Sequence, residues 1–122
     1  MELPAVLYVD DEEINLELLQ LTFMNELKVV TASSASEGLQ ILNDHPEIKV
    51  VISDLRMSGM NGLEFIKEVK ELDRDKVCML LTGFIESEIM MEGFNKELIF
   101  RYMMKPWRKN ELLENIQTAL QR

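Results

Sequence analysis

The chain has 122 residues, 47% of them apolar, enough for one domain that buries roughly two-thirds of its unfolded surface. Its formal charge is -9, from 22 acidic against 13 basic residues. That balance argues against an electrostatic grip on nucleic acid or an anionic membrane, both of which need clustered Lys and Arg. Acidic charge gathered at a site favours a divalent cation or a basic partner surface instead.

The single cysteine, Cys78, cannot form an internal disulfide, and its apolar neighbours suggest a small core residue in a reducing compartment. Met1 to Ala5 carries no positive region, and no apolar stretch is long enough to span a bilayer, so a cytoplasmic protein is expected. The sequence stops just after a helical pattern, which leaves open a stand-alone protein or a module of a longer one.

Ala5-Val6-Leu7-Tyr8-Val9 reads as a first strand and runs straight into Asp10-Asp11-Glu12-Glu13. A helix follows over 13–24, with Ile14, Leu18, Leu21 and Met24 expected on its inner stripe and Leu19 and Phe23 beside it. Asp11 or a neighbour is placed to cap it. A second strand is expected over 27–32. Ser33-Ser34-Ala35-Ser36 then opens a helix reaching Asn43, and Pro46 closes the turn beyond.

Val50-Val51-Ile52-Ser53-Asp54 is a β-branched run, apolar on both faces, that ends abruptly in a carboxylate. The turn after it, Leu55-Arg56-Met57-Ser58-Gly59-Met60-Asn61-Gly62, holds two glycines and an asparagine that let the chain fold tightly around Asp54. Leu63, Phe65, Ile66 and Val69 mark the inner face of a third helix over 62–72. A fourth strand over 76–81 ends in Thr82-Gly83, and a short helix over 87–95 carries Ile89, Met90 and Phe94. A fifth strand over 98–104 leads to Lys105-Pro106-Trp107, and Asn110 starts a final helix with Leu112, Leu113, Ile116 and Leu120. Five strand–helix alternations, with no linker between them, predict a single α/β domain over 1–122: a doubly wound parallel sheet with helices on both faces.

In such a sheet Asp10-Asp11, Asp54, Thr82 and Lys105 share the carboxyl edge, where ligands bind. Alone, each has an ordinary structural explanation as a cap or turn residue. Together, three carboxylates, a hydroxyl and an ammonium at successive strand ends would need that explanation repeated at every strand. Clustered carboxylates raise one another's pKa unless a cation neutralises them, and Mg²⁺ accepts such oxygen ligands while keeping several waters. A carboxylate can also act as nucleophile in phosphoryl transfer, with a metal and a lysine balancing charge on the transferred group.

These residues resemble the receiver domain of two-component response regulators over nearly the whole chain: Asp10-Asp11 after strand one, Asp54 followed by Met57 and Gly62, Thr82-Gly83, and Lys105-Pro106 with Trp107. The resemblance implies a flavodoxin-like, CheY-like sheet of order 2-1-3-4-5. It implies that Asp54 accepts a phosphoryl group from a histidine kinase or a histidine phosphotransfer protein. Asp11 and Asp54 would bind Mg²⁺ directly, Asp10 through water, and the Arg56 backbone carbonyl would complete the protein ligands. Lys105 would pair with the phosphoryl group, and its bond to Pro106 would be cis. Thr82 and Tyr102 would form the switch, altering the face of helix four, strand five and helix five toward an output domain, a partner or a second copy. The protein would be a signalling domain and not an enzyme, with slow loss of its own phosphoryl group.

Ser58 departs from the proline usual in the family and removes a fixed φ from the loop. Arg56, Gly83 and Phe84 flank the acceptor. Arg56 is expected to pair with a carboxylate or the phosphoryl group, and Phe84 to screen attacking water, giving a long-lived phosphoryl state. Most methionines suit the core, with Met90-Met91 and Met103-Met104 left as a candidate partner patch. His45 suits a surface turn and Trp107 a packing position at the mouth of the site.

Competing readings are a scaffold that has lost phosphorylation, a Mg²⁺-dependent aspartyl phosphohydrolase, and a nucleotide or flavin binder. The complete acidic set with Thr82 and Lys105 opposes the first. Arg56, standing where haloacid dehalogenase-like enzymes want a second acid, opposes the second. The lack of a glycine-rich loop after strand one opposes the third. The stretch from Tyr102 to Trp107 resembles receivers joined to phosphodiesterase or other enzymatic outputs.

Overall fold

A computed structural model describes residues 2–83, 91–92 and 97–122. Five strands, β1 Ala5–Val9, β2 Lys28–Ala32, β3 Val50–Ser53, β4 Val77–Thr82 and β5 Arg101–Met104, pair in parallel in the order β2-β1-β3-β4-β5. Three helices, α1 Glu13–Thr22, α2 Ala35–Asp44 and α3 Gly62–Leu72, alternate with the first four strands, and a C-terminal helix runs over Lys109–Leu120. The strand order and parallel pairing are those the resemblance implied.

Because side chains alternate across a strand, each central strand feeds two cores. Val6, Tyr8, Val50, Ile52, Met79 and Leu81 pack against α1 and the C-terminal helix through Leu16, Leu19, Leu112 and Ile116. Leu7, Val9, Val51, Cys78 and Leu80 point the other way, onto Leu42 of α2 and Leu63, Phe65 and Ile66 of α3. Burying one such side chain contributes roughly 1.5–3 kcal/mol, so the two-sided burial of β3 and β4 anchors the strand ends that carry the site.

Local signals set several helix starts. The Ser34 side chain accepts from the Glu37 N–H at 3.1 Å, and Asn61 with Glu64 forms a reciprocal capping box at the start of α3. Helix α1 agrees with expectation only in part: its N-cap is Asp11's neighbour Glu12, which makes no side-chain cap, while Asp10 accepts from the Glu12 N–H at 2.9 Å.

The buried face of α1 also differs. Leu16, Leu19 and Phe23 are buried, whereas Ile14, Leu18, Leu21 and Met24 are between 55% and 74% exposed. At about 100° per residue these are opposite stripes of one helix, both with helical spacing, so periodicity cannot choose between them. Phe23 decides it, completing the buried stripe against Trp107, with ring centroids 5.6 Å apart. Strand five is shorter than expected, since pairing with β4 begins only at Arg101. The helix expected over 87–95 lies outside the described residues except for Met91 and Glu92, which are helical. Among the described residues, no helix is long and apolar enough to cross a membrane.

Candidate functional site

Hydrogen bonds from one strand end to the next hold the carboxyl edge in register. Asp10 N–H donates to Ala32 O at 3.1 Å, Asp54 N–H to Val9 O at 2.9 Å, and Lys105 N–H to Thr82 O at 2.8 Å. Asp10 and Asp54 are buried, and Thr82 closes β4 with its side chain buried as well. The Lys105–Pro106 bond is cis, as the resemblance implied.

Lys105 joins the two buried acids. Its Nζ donates to Asp10 Oδ2 at 3.0 Å and to Asp54 Oδ2 at 3.3 Å. Asp54 Oδ1 accepts from the Leu55 N–H at 2.8 Å, so both acceptor oxygens are oriented. Asp10 is held more fully. Its Oδ2 also accepts from the Tyr8 hydroxyl at 2.7 Å and from Asn15 Nδ2 at 3.1 Å.

Those differences set the charges. Burial pushes the Asp10 carboxyl up, but hydrogen bonds from Tyr8, the Glu12 N–H and Lys105 outweigh it and leave its pKa below the ordinary value. For Asp54 burial prevails: with the Asp10 charge beside it, its pKa lies above the ordinary value despite Lys105. Burial alone would lower the Lys105 pKa, yet Asp10 and Asp54 hold it above the usual lysine value. The Tyr8 phenol is pushed far up, first by burial and then by its bond to Asp10, so it stays a donor.

Asp11 is held instead by the loop after β3. Its Oδ2 accepts from the Ser58 N–H at 2.9 Å and from the Ser58 hydroxyl at 3.2 Å. The residue that departs from the family's proline thus makes a contact that proline cannot, because proline has no N–H. Gly59, at φ 78°, turns the loop just beyond.

Among the described residues no group of three or more His, Cys, Asp or Glu side chains is gathered to hold a metal ion. The donor set nevertheless fits Mg²⁺ in kind, being carboxylate and carbonyl oxygens at one edge; Asp11 would have to leave Ser58 to take part.

Arg56 and Gly83 are exposed, and Phe84 lies outside the described residues. Tyr102 is half-buried beside the α2/α3 core, and burial, then the Glu92 charge, raises its pKa. Met103 is buried and Met104 exposed, while Met91 is exposed and Met90 lies outside the described residues. His45 sits at the surface with Glu47 at 3.4 Å. Sequence reasoning missed Tyr8 and Asn15 as holders of Asp10. Strand alternation places Tyr8 two residues before the acid on the same face, a signal that was available.

Fold and site together define a doubly wound α/β protein whose polar residues converge at the carboxyl edge of a parallel sheet. The family model of the response regulator receiver domain matches residues 6–117, and the chain belongs to that family of two-component signalling modules. It is 36% identical to the hydrogenase transcriptional regulatory protein HoxA of Cupriavidus necator over 96% of this chain and 24% of that protein. It is 34% identical to the transcriptional regulatory protein GlrR of Escherichia coli over 95% of this chain and 26% of that one. The chain therefore spans about a quarter of the length of these curated relatives. A response regulator receiver domain protein from Clostridium thermocellum superposes with a TM-score of 0.91 at 30% identity, covering 98% of this chain and 96% of that one.

Proposed function

We propose that residues 1–122 form one receiver domain whose Asp54 takes a phosphoryl group from a histidine kinase or a histidine phosphotransfer protein. The observation that carries this reading is the Lys105 ammonium bonded to both Asp10 and Asp54 at the strand ends. An Asp54 carboxylate oxygen attacks phosphorus as the phosphorus–nitrogen bond of the donor histidine breaks, and the imidazole keeps the electron pair and takes up a proton. Leu55 N–H fixes one carboxylate oxygen and so aims the other. Lys105 moves from Asp54 toward a phosphoryl oxygen, retaining Asp10 as its counter-charge.

Asp11, Asp54, the Arg56 backbone carbonyl and, through water, Asp10 would hold Mg²⁺. Bound there, the ion supplies neutralisation of the phosphoryl oxygens. Thr82, at the end of β4, and Tyr102, on β5, form the switch: the hydroxyl turns to the phosphoryl group and the aromatic ring turns inward. Arg56, Gly83 and Phe84 flank the phosphoryl group and set its lifetime. Phosphorylation acts by its different affinity for the two states, changing the face of the fourth helix, β5 and the C-terminal helix through which a second copy or an output is engaged.

The exposed α1 stripe Ile14, Leu18, Leu21 lies just after Asp10-Asp11 and is the surface we assign to the phosphodonor. The output is transcriptional control, a reading that rests on the names of the curated relatives and differs from the enzymatic output suggested by the stretch after Tyr102. The protein acts in the cytoplasm, where its donor is found.

Intact mass after incubation with Mg²⁺ and acetyl phosphate tests the chemistry. One phosphoryl adduct, lost in Asp54→Asn and without Mg²⁺, is expected. No adduct in the parent under any condition would leave a scaffold.

A further inference from the structure

At the opposite edge of the sheet one cleft gathers positive charge. Six of the 13 cationic residues, Lys49, Lys70, Arg74, Lys76, Arg101 and Arg122, line one cleft of about 820 Å³ where β3, β4 and β5 begin. The acidic residues lining it are Asp75 and Glu97. In a chain of net charge -9, this is a concentrated reversal.

Much of the positive charge is satisfied by hydrogen bonds to neutral carbonyls, although Lys49 donates to the main-chain oxygen of Arg122, the last residue, and Asp73 stands beside Lys76. Lys76, only 4% exposed, donates to Pro46 O at 3.0 Å and Ile48 O at 2.6 Å. Lys70 donates to the Lys76 and Arg74 carbonyls, and Arg101 to Phe100 O at 3.1 Å. Carbonyl oxygens accept these protons but carry no net charge. Among the described residues, the carboxylate side chain within 4.0 Å of any of the six is Asp73, at 3.8 Å from Lys76.

Satisfying the carbonyls of the turns that precede β3 and β4 explains Lys70 and Lys76. It does not explain Arg74, which is exposed, nor the guanidiniums of Arg101 and Arg122, which both lie over the Phe100 ring at 4.3 and 4.6 Å. Each guanidinium is attracted to the face of the ring, and together they concentrate positive charge at the cleft. Glu97, on the same cleft, is the described non-glycine residue of positive φ, at 54°. Such residues recur at ligand sites.

We propose that this cleft binds a compact polyvalent phosphate, of the diphosphate or triphosphate class. Guanidinium forks match phosphate oxygens two at a time, and ligand sites commonly enclose about 300–1,000 Å³. A long polyanion, whether nucleic acid or an acidic polypeptide, meets the surrounding acidic surface and is repelled. A small one enters the cleft alone.

Amide NMR of the labelled chain titrated with sodium tripolyphosphate, without divalent cations, tests this. Saturable shifts at Val77, Leu98 and Arg101 are expected, with a dissociation constant below about 1 mM. Binding should weaken by about tenfold between about 50 and about 200 mM salt. Arg74→Gln with Arg101→Gln, both at exposed positions, should weaken it by at least about tenfold while the rest of the spectrum is unchanged. Shifts confined to the Asp10, Asp54 and Lys105 edge, unchanged binding by the double variant, or no saturation at all would overturn the proposal. So would tighter binding of a glutamate decapeptide, which would make the cleft a protein-docking surface. None of these readouts depends on phosphorylation of Asp54.

Discussion

Gly62 lies against the backbone of Asp54: a Cβ at residue 62 would stand 2.1 Å from the Asp54 carbonyl oxygen and 2.9 Å from Leu80 Cδ2. The Gly62 N–H meanwhile donates to Leu55 O at 2.8 Å, so helix α3 starts directly on the loop that follows Asp54. Neither backbone can retreat without breaking the strand-end register. Gly62→Ala is therefore expected to destabilise the fold by about 3 kcal/mol or more, as overpacking against a rigid neighbour does. The urea midpoint measures it, and an unchanged midpoint would show that the loop yields freely.

Ser58 competes for Asp11. Replacing it with proline removes both donors to that carboxylate and restores a fixed φ. Hydrogen bonds to a charged group contribute roughly 1.5–3 kcal/mol when sheltered and less at an exposed site. Ser58→Pro is accordingly expected to tighten Mg²⁺ binding by up to about tenfold. Titration calorimetry checks this, and weaker binding in the variant would show that Ser58 aids the metal.

The two stripes of α1 can be separated by paired variants. Leu19→Ala empties a fully buried position and should cost about 2–5 kcal/mol of stability. Leu18→Ser, at an exposed position, should change stability by under about 0.5 kcal/mol. It should nevertheless slow phosphoryl transfer from the protein donor while leaving acetyl phosphate labelling unchanged. Equal slowing with both donors would place the defect in the chemistry and remove α1 from the docking surface.

Burial pushes the Cys78 thiol up to about 12. At pH 8 the folded chain holds almost no thiolate, so iodoacetamide should label Cys78 only after urea unfolds the chain. The same shift makes stability depend on pH. Above a pH of about 9 the unfolded thiol loses its proton and the folded one keeps it, so stability falls by roughly 1.4 kcal/mol per pH unit toward 12. Cys78→Ala should flatten that slope between about pH 9 and 10, before tyrosines ionise in the unfolded chain. Rapid labelling of the native protein would contradict the burial.

What the sequence disclosed follows from how strongly each segment was constrained. Strand β3 was readable because four consecutive buried positions leave no alternative to an extended segment covered on both sides. Helix α3 was readable because its inner face and its Asn61/Glu64 start agree with one another. Helix α1 was readable as a helix but not as an orientation, since it carries two apolar stripes and only the tertiary position of Phe23 selects one. At the site, residue types and strand ends indicated which groups share an edge. They did not indicate that Lys105 would join Asp10 to Asp54, or that Asp11 would turn to Ser58, because both depend on side-chain reach across 95 and 47 positions of sequence.

Parallel strands give every segment of the sheet the same heading, so the acids that follow β1 and β3 and the cations at the starts of β3, β4 and β5 collect at opposite ends, the cations there outnumbering Glu47, Asp73, Asp75 and Glu97. The sheet thereby acquires an electric moment along its strands in addition to its net charge. In the field of an approaching cationic protein it experiences a torque, like a compass needle, that swings the Asp54 end forward before any surface touches. For a cationic partner that engages that edge, encounters are enriched by orientation alone, and the advantage fades as added salt shortens the reach of the field.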